Sequence, residues 1–301
     1  MKALVCVDGS ERALKAVSLT ARLLCKELDD ATFLFVRRYR KDTRGYNIRR
    51  KATEVFSDWQ KELPEMTYLR EAADLFEQVR EGRGAGAGMD MSESVLIHLG
   101  GGVFEEGRVQ LPGNGAALLK VREGHPPDEI HREAQEGRYE LVILGARRTA
   151  GCYWYHVEHI PLEVARKVPG PVMVVAKGYE KGQPVLVPMG ERPLAEASLE
   201  LIQDIAIRMK SKIQVLAFGR TSEEAFGSSE KALPVVEQWK AQALTVAVES
   251  LQGDPFHVIP KIAPDFGLVL CPPPGKKKRR RLDKLTKKML CSSRLNVLVL
   301  P

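Results

Sequence analysis

The stretch "GARRTAGCYWYHVEH", residues 145–159, packs two arginines, three aromatics, two histidines and a cysteine into a turn between an apolar run, "LVIL", and a helix-like segment. A glycine turn that leads from a strand into a helix is a natural phosphate site, because the free N–H groups of the helix start point at the anion. The same residues invite a metal reading, since His156 and His159 lie one helical turn apart with Cys152 nearby. Zinc requires three or four converging ligands, and no second Cys or His pair in the chain has a matching spacing. A solvated helix start is the plainer account of the two histidines. Nucleophilic catalysis has less support, for there is no G-x-S-x-G elbow and no Ser or Cys tied by spacing to a base. Tyr153, Trp154 and Tyr155 either stack on a ligand or anchor an irregular loop by partial burial. Asp8, which follows the apolar run "ALVCV", also has two roles open to it: contact with a ligand, or the cap of the helix that follows.

These residues depend on the elements around them. "ALVCV" reads as a buried strand, "DGS" as a turn and "ERALKAVSLTARLLCKEL" as a helix with Ala13, Leu14, Val17, Ala21, Leu24 and Leu28 on one stripe; "ATFLFV" is the next strand. This βαβ unit predicts a parallel sheet with a right-handed crossover. A polar, helix-like stretch over 44–81 ends in "EGRGAGAGMD", where Gly82 to Gly88 follow a charged helix and read as a linker and not as a dinucleotide loop. "SVLIHLGGGVF" and "GRVQLPGNG" predict extra strands or a hairpin. The regular pattern then resumes with "AALLKV" as strand, "PPDEIHREAQEG" as helix, "YELVILG" as strand, a helix over about 156–168 and "PVMVVA" as strand.

From residue 184 the order strand, turn, helix, strand repeats at the spacing of the first 36 residues, and a helix is expected over 229–251, followed by "FHVIPK", "FGLVLCP", a basic helix and the terminal "NVLVLP". An internal duplication accounts for this echo. The expected fold class is α/β, with two Rossmann-like domains, each an open parallel five-stranded sheet with helices on both faces. The expected domains are 1–178, with an insertion at about 40–115, and 184–301.

Bulk properties narrow the functional classes. The five cysteines show no CxxC spacing, which favours reduced thiols in a cytoplasm over a disulfide framework. No stretch approaches the ~20 apolar residues of a membrane span, and the N-terminus leaves no room for a signal peptide. Residues 276–288, "KKKRRRLDKLTKK", hold nine basic residues and one acid, so the chain's +7 charge is local and not a field over the surface. That run lacks interleaved aromatics and a surrounding nucleic-acid module, so sequence-specific nucleic-acid recognition is not expected; it reads as a solvated loop leading into an amphipathic helix.

"LVCVDGSERALKAV", "YELVILGARRTAG" and "VARKVPGPVMVV" resemble the first strand and helix, the fourth strand with its loop, and the final helix and strand of the universal stress protein family. The resemblance covers both ends of 1–178, and the order of elements over 184–301 runs parallel to it, so the chain looks like a tandem member. In nucleotide-binding relatives the first-strand aspartate contacts adenine, and a G-x2-G-x9-G-[S/T] loop lets backbone N–H groups reach the phosphates. Carried across, the aspartate matches Asp8 and the first glycine matches Gly145, while the second glycine position holds Arg148 and the final pair falls on Glu158 and His159. The implied nucleotide contacts are Asp8, Gly9, Ser10 and Val36 on one side, and Gly145, Arg147, Arg148, Gly151, Glu158 and His159 on the other. Arg147 and Arg148 offer side-chain phosphate contacts in place of backbone ones, whereas Glu158 sets a carboxylate beside the phosphates.

In the second half Met189 or Gly190 takes the aspartate position, and "CPPPG" replaces the loop with residues that lack N–H donors. The resemblance therefore implies a stress-response sensor or regulator that holds ATP or AMP in its first domain without turning it over. The alternative is a scaffold that has lost the cradle and acts through protein contacts, as a homo-oligomer or with protein partners. An enzyme stands third. Both last strands, "VMVVA" and "VLVLP", are apolar on both faces, so each is expected to cover the other's open edge within one chain.

Overall fold

Strand β1 (Lys2–Cys6) buries alternate residues on both faces, with Ala3 and Val5 in one core and Leu4 in the other. Burial on both sides is the mark of a strand inside a parallel sheet covered by helices. The structure, a computed structural model, describes residues 1–26, 28–38, 64–81, 96–100, 103–110, 116–146, 159–190, 194–271, 282–292 and 294–301.

Helix α1 (Glu11–Leu23) starts at Ser10, whose Oγ accepts from the Ala13 amide at 3.2 Å, a conventional N-cap. Ala13, Val17 and Ala21 face the core as the periodicity predicts. The helix is shorter than expected: it ends at Leu23, and Leu28 lies beyond it and 79% exposed. An arginine of the second half, Arg208, donates to the Leu23 carbonyl at 3.1 Å and so completes this helix end from outside.

Strand β2 (Asp30–Arg37) pairs parallel with β1. Within the 40–115 stretch, helix α2 (Pro64–Glu81) packs on α1, on β2 and on the strand over Ala116–Glu123 that lies beside β2, and so serves as the crossover helix from β2. Strands β3 (Leu96–Gly100) and β4 (Val103–Gln110) form the expected hairpin, which extends the sheet antiparallel from β5 (Ala116–Glu123). The glycines read as a linker, Gly82 to Gly88, lie outside the described residues. Helix α3 (Pro126–Gly137), β6 (Leu141–Gly145), α4 (Ile160–Lys167) and β7 (Val172–Val175) follow in the predicted order.

The second half runs β8 (Val185–Met189), α5 (Glu196–Met209), β9 (Ile213–Gly219), α6 (Ser222–Ala241) and β10 (Val246–Gln252). It continues with α7 (Pro255–Ile262), β11 (Leu268–Cys271), α8 (Lys284–Leu290) and β12 (Val297–Val299). The expected helix over 229–251 is corrected here. It starts earlier and stops at Ala241; Ala243 then turns the chain with φ +60°, and the β-branched pair Val246 and Val248 enters β10 beside β9.

In the first half the parallel strands lie in the order β5-β2-β1-β6-β7, and in the second β10-β9-β8-β11-β12, the same Rossmann-like permutation twice. The two units are not separate sheets. β7 and β12 pair antiparallel, Val174 opposite Val297 and Met173 opposite Leu298, giving one twelve-stranded sheet. The expected five strands per unit therefore hold for the second half, and the first carries the β3-β4 hairpin in addition. Each face of the sheet has a core that runs through both halves, one joining Val17 and Phe76 with Val187 and Trp239, the other Leu4 and Val164 with Leu186 and Met289.

Candidate functional site

β1 and β6 are parallel neighbours, with Cys6 opposite Leu144, so the turn after each opens at the same end of the sheet. Asp8 and Gly145 thus lie side by side at the carboxyl ends of adjacent central strands, where the strand order reverses and open α/β sheets form a crevice.

Asp8 is exposed, and its Oδ1 accepts from the Ser10 amide at 3.0 Å. This short loop-closing bond fixes the turn, and the side chain stays exposed to solvent. Gly9 has φ +74°, a left-handed conformation that glycine adopts without strain. A Cβ on Gly9 would also lie 2.8 Å from the ring of Tyr68, which reaches over the turn from α2. Tyr68 stacks on Phe35 with ring centroids 6.0 Å apart and planes 11° apart. Val36, the next residue of β2, faces the opposite side of the sheet beside Arg122, its partner in register.

Gly145 is needed for packing. A Cβ there would meet the Arg12 carbonyl carbon and the Ala13 nitrogen at 2.7 Å, so the first turn of α1 sits directly against the end of β6. Across this contact Arg12 Nη1 donates to the Ala146 carbonyl at 3.0 Å. His159 is the N-cap of α4, its Nδ1 accepting from the Leu162 amide at 3.2 Å. Arg147, Arg148, Gly151 and Glu158 lie outside the described residues, as does His156 of the histidine pair. Among the described residues no group of three or more His, Cys, Asp or Glu side chains is placed to hold a metal.

The cations near the crevice differ in how they are held. Arg122, 2% exposed, donates from Nε to Glu133 at 2.6 Å and also pairs with Glu136. Glu133 takes a further bond from Lys120 at 3.1 Å and one from the Tyr139 hydroxyl at 2.9 Å. Burial would push the Glu133 carboxyl up, but Lys120 and Arg122 outweigh it and hold the group below the usual range. Arg37 pairs with Glu123. The Cys6 thiol is pushed up by burial, with Asp8 and Glu133 adding to the effect, so it has no thiolate character to offer a ligand.

Asp8, Gly9, Ser10 and Gly145 lie at the carboxyl ends of the adjacent strands β1 and β6; sequence reasoning passed over Arg12 and Tyr68 beside them. Nothing in a helical stretch around Tyr68 marks it as a neighbour of a turn some sixty residues earlier. Arg12 carried a signal, since a cation in the first turn of a helix opposes the helix dipole.

The corresponding crevice of the second half is built differently. Gly190 follows β8 where Asp8 follows β1, and a Cβ on it would lie 2.9 Å from the Phe218 ring, an apolar side chain at the end of β9. Cys271, at the end of β11, is buried, and burial followed by the Asp283 charge pushes its thiol up to about 12.

The sequence profile of the universal stress protein family matches residues 1–176, more than half of the chain. The chain belongs to the universal stress protein family. Three solved structures carry the same fold over 99% of this chain. A universal stress protein from Archaeoglobus fulgidus DSM 4304 has a TM-score of 0.65 at 15% identity, with 97% of its own chain covered. For a putative universal stress protein from Pseudomonas aeruginosa UCBPP-PA14 the values are 0.53, 14% and 92%. The cytoplasmic domain of a prokaryotic cation chloride cotransporter gives 0.56, 11% and 94%. No curated protein sequence matches the chain. Among the described residues no helix is long and apolar enough to cross a membrane.

Proposed function

We propose that this universal stress protein is a stress-response regulator or sensor that holds an adenine nucleotide, ATP or AMP, in the crevice of its first half. The chain is read as two domains, 1–178 and 184–301, acting in the cytoplasm, with the nucleotide confined to the first. The observation that carries the reading is the placement of the Asp8–Ser10 turn and Gly145 side by side at the ends of β1 and β6. Adenine would lie toward Asp8 and Val36, and the phosphates toward the segment that Gly145 begins and His159 ends. No catalytic role is assigned to any residue of the crevice, so the nucleotide acts by being bound.

Two features favour a second reading, a scaffold that acts through protein contacts or as a homo-oligomer. The Asp8–Ser10 bond and the Gly145–α1 contact each serve the fold without a ligand, and Phe218 stands over the matching turn of the second half. One measurement separates the readings. Freshly purified protein is denatured and the released small molecules are identified by mass spectrometry. ATP or AMP near one per chain supports the first; an empty protein that also fails to bind ATP in calorimetry supports the scaffold.

A further inference from the structure

We infer that Arg12, from the first turn of α1, is a phosphate ligand of this crevice. The inference rests on the adenine-nucleotide reading of the same crevice and goes beyond it by naming a residue outside the loop. Three observations meet at Arg12. Its guanidinium lies at the carboxyl end of β6, donating at 3.0 Å to the carbonyl of Ala146, the residue next to Gly145. It is half-buried, and among the described residues that neutral carbonyl is its one hydrogen-bond partner and no carboxylate pairs with it. The adjacent acid, Glu11, is ion-paired with Lys15 at 2.7 Å.

Among the described residues, two other cations near the crevice are paired with carboxylates. Arg122 is bound between Glu133 and Glu136, and Arg37 is bound to Glu123. A half-buried guanidinium with one carbonyl acceptor retains four N–H donors, a fork that matches two phosphate oxygens. Charge pairing in this partly desolvated position is stronger than at an open surface. It also stands where a charge is most needed, because Asp8 places a carboxylate on the base side of the crevice and a polyphosphate adds more negative charge. The closeness of α1 to β6, forced by Gly145, is what delivers the side chain from a helix to the phosphate side.

The test compares ATP, AMP and adenosine by calorimetry at two salt concentrations, for the wild type, Arg12→Ala, Arg12→Gln and Arg12→Lys. Arg12→Gln still offers an N–H donor to Ala146 but carries no charge, and melting temperature reports whether each variant is folded. The expected result is a loss of at least tenfold for ATP in Arg12→Ala and Arg12→Gln, a smaller loss for AMP, none for adenosine, and recovery of most ATP affinity in Arg12→Lys. The wild type's dependence on salt should weaken in the neutral variants. Equal loss for all three ligands means Arg12 only props up the turn, and unchanged ATP binding means the phosphates lie elsewhere; either overturns the inference while leaving the crevice reading in place. A wild type that binds none of the three overturns both.

Discussion

Arg208 of α5 donates to the carboxylate of Asp29 of the first half at 2.5 Å, and both side chains are nearly inaccessible, at 4% and 2%. Asp29 also takes the Met1 amino group at 2.7 Å and the Lys26 amide at 2.8 Å, while Arg208 reaches back to Asp204 at 2.6 Å. A buried pair of this kind spans the two halves on the α1–α5 side and, like the strand contact of β7 with β12, binds the two units together.

Asp29 makes this contact dependent on pH. Burial pushes its carboxyl up, but the bonds from Arg208, the Met1 amine and the Lys26 amide outweigh burial and hold it below the ordinary value. A carboxyl depressed by folding stabilises the protein above its unfolded pKa of ~3.9, and that stability fades as pH falls through the lower folded value. Urea unfolding at pH 6 and pH 3 should therefore show a smaller pH dependence for Asp29→Asn than for the wild type. Equal dependence in the two proteins would exclude Asp29 as a source of acid sensitivity.

Removing Arg208 leaves Asp29 with fewer partners in a buried site and frees the Leu23 carbonyl. Breaking one side of a buried ion pair costs about 3–5 kcal/mol, and replacement of both sides by apolar groups costs far less. Arg208→Leu is expected to lose about 3 kcal/mol, with the double variant Arg208→Leu, Asp29→Leu recovering part of it. A loss under 1 kcal/mol in the single variant would show that the interface does not rely on this pair.

Gly145 belongs to the fold as well as to the crevice. An added methyl would meet two backbone atoms of α1 at 2.7 Å, and backbone cannot rotate away. Gly145→Ala should destabilise the protein by about 1–3 kcal/mol, the usual range for overpacking. Thermal melting without ligand checks it. An unchanged melting temperature would mean that α1 shifts freely away from β6, which would weaken the case for Arg12 reaching the loop.

Asp8 is the cleaner probe of ligand contact, since its side chain is exposed and its bond to the Ser10 amide lies within a turn. Asp8→Ala is expected to lower ATP affinity by about tenfold, the size of one hydrogen bond to a charged group, with melting of the empty protein shifted by no more than a few degrees. Equal ATP affinity in the variant and the wild type would move the base elsewhere.

The parts of this structure that the sequence made legible are those governed by local pattern. Apolar runs marked β1, β5, β6, β7 and β12, and the aspartate turn and Gly145 placed the crevice because strand order follows from βαβ connectivity. Other features depend on distant residues. The end of α1 at Leu23 is set by Arg208, nearly two hundred residues later, and no local signal announces it. The sequence of β10 reads as helix because "ALTVAVES" follows a long helical stretch and no Gly or Pro stands between Pro234 and Gly253 to mark a break, while Ala243 makes the turn at φ +60° that such residues rarely adopt. Tyr68 over Gly9 and Arg12 beside Ala146 are tertiary contacts, visible once α2 and α1 are in place.

The strand contact between the halves gives the last prediction. Val174 faces Val297 across the antiparallel β7–β12 pair and Leu144 in the parallel neighbour, so it lies in the interior of the twelve-stranded sheet. Asn296, just before β12, strengthens the seam: its Oδ1 accepts from the Ala176 and Lys177 amides at 2.9 and 3.0 Å, and its Nδ2 donates to the Gly267 carbonyl at 2.9 Å. Proline at Val174 removes an N–H donor and forces its ring into a central strand, a change worth about 3 kcal/mol or more. Because each core continues through both halves, the loss should reach both. Val174→Pro is expected to lower a single cooperative melting transition, seen alike by calorimetry and by the fluorescence of Trp239 after Trp59 and Trp154 are replaced with Phe in both proteins. Two separate transitions, with the Trp239 signal melting at the wild-type temperature, would show that the halves fold independently and that the β7–β12 seam does not couple them.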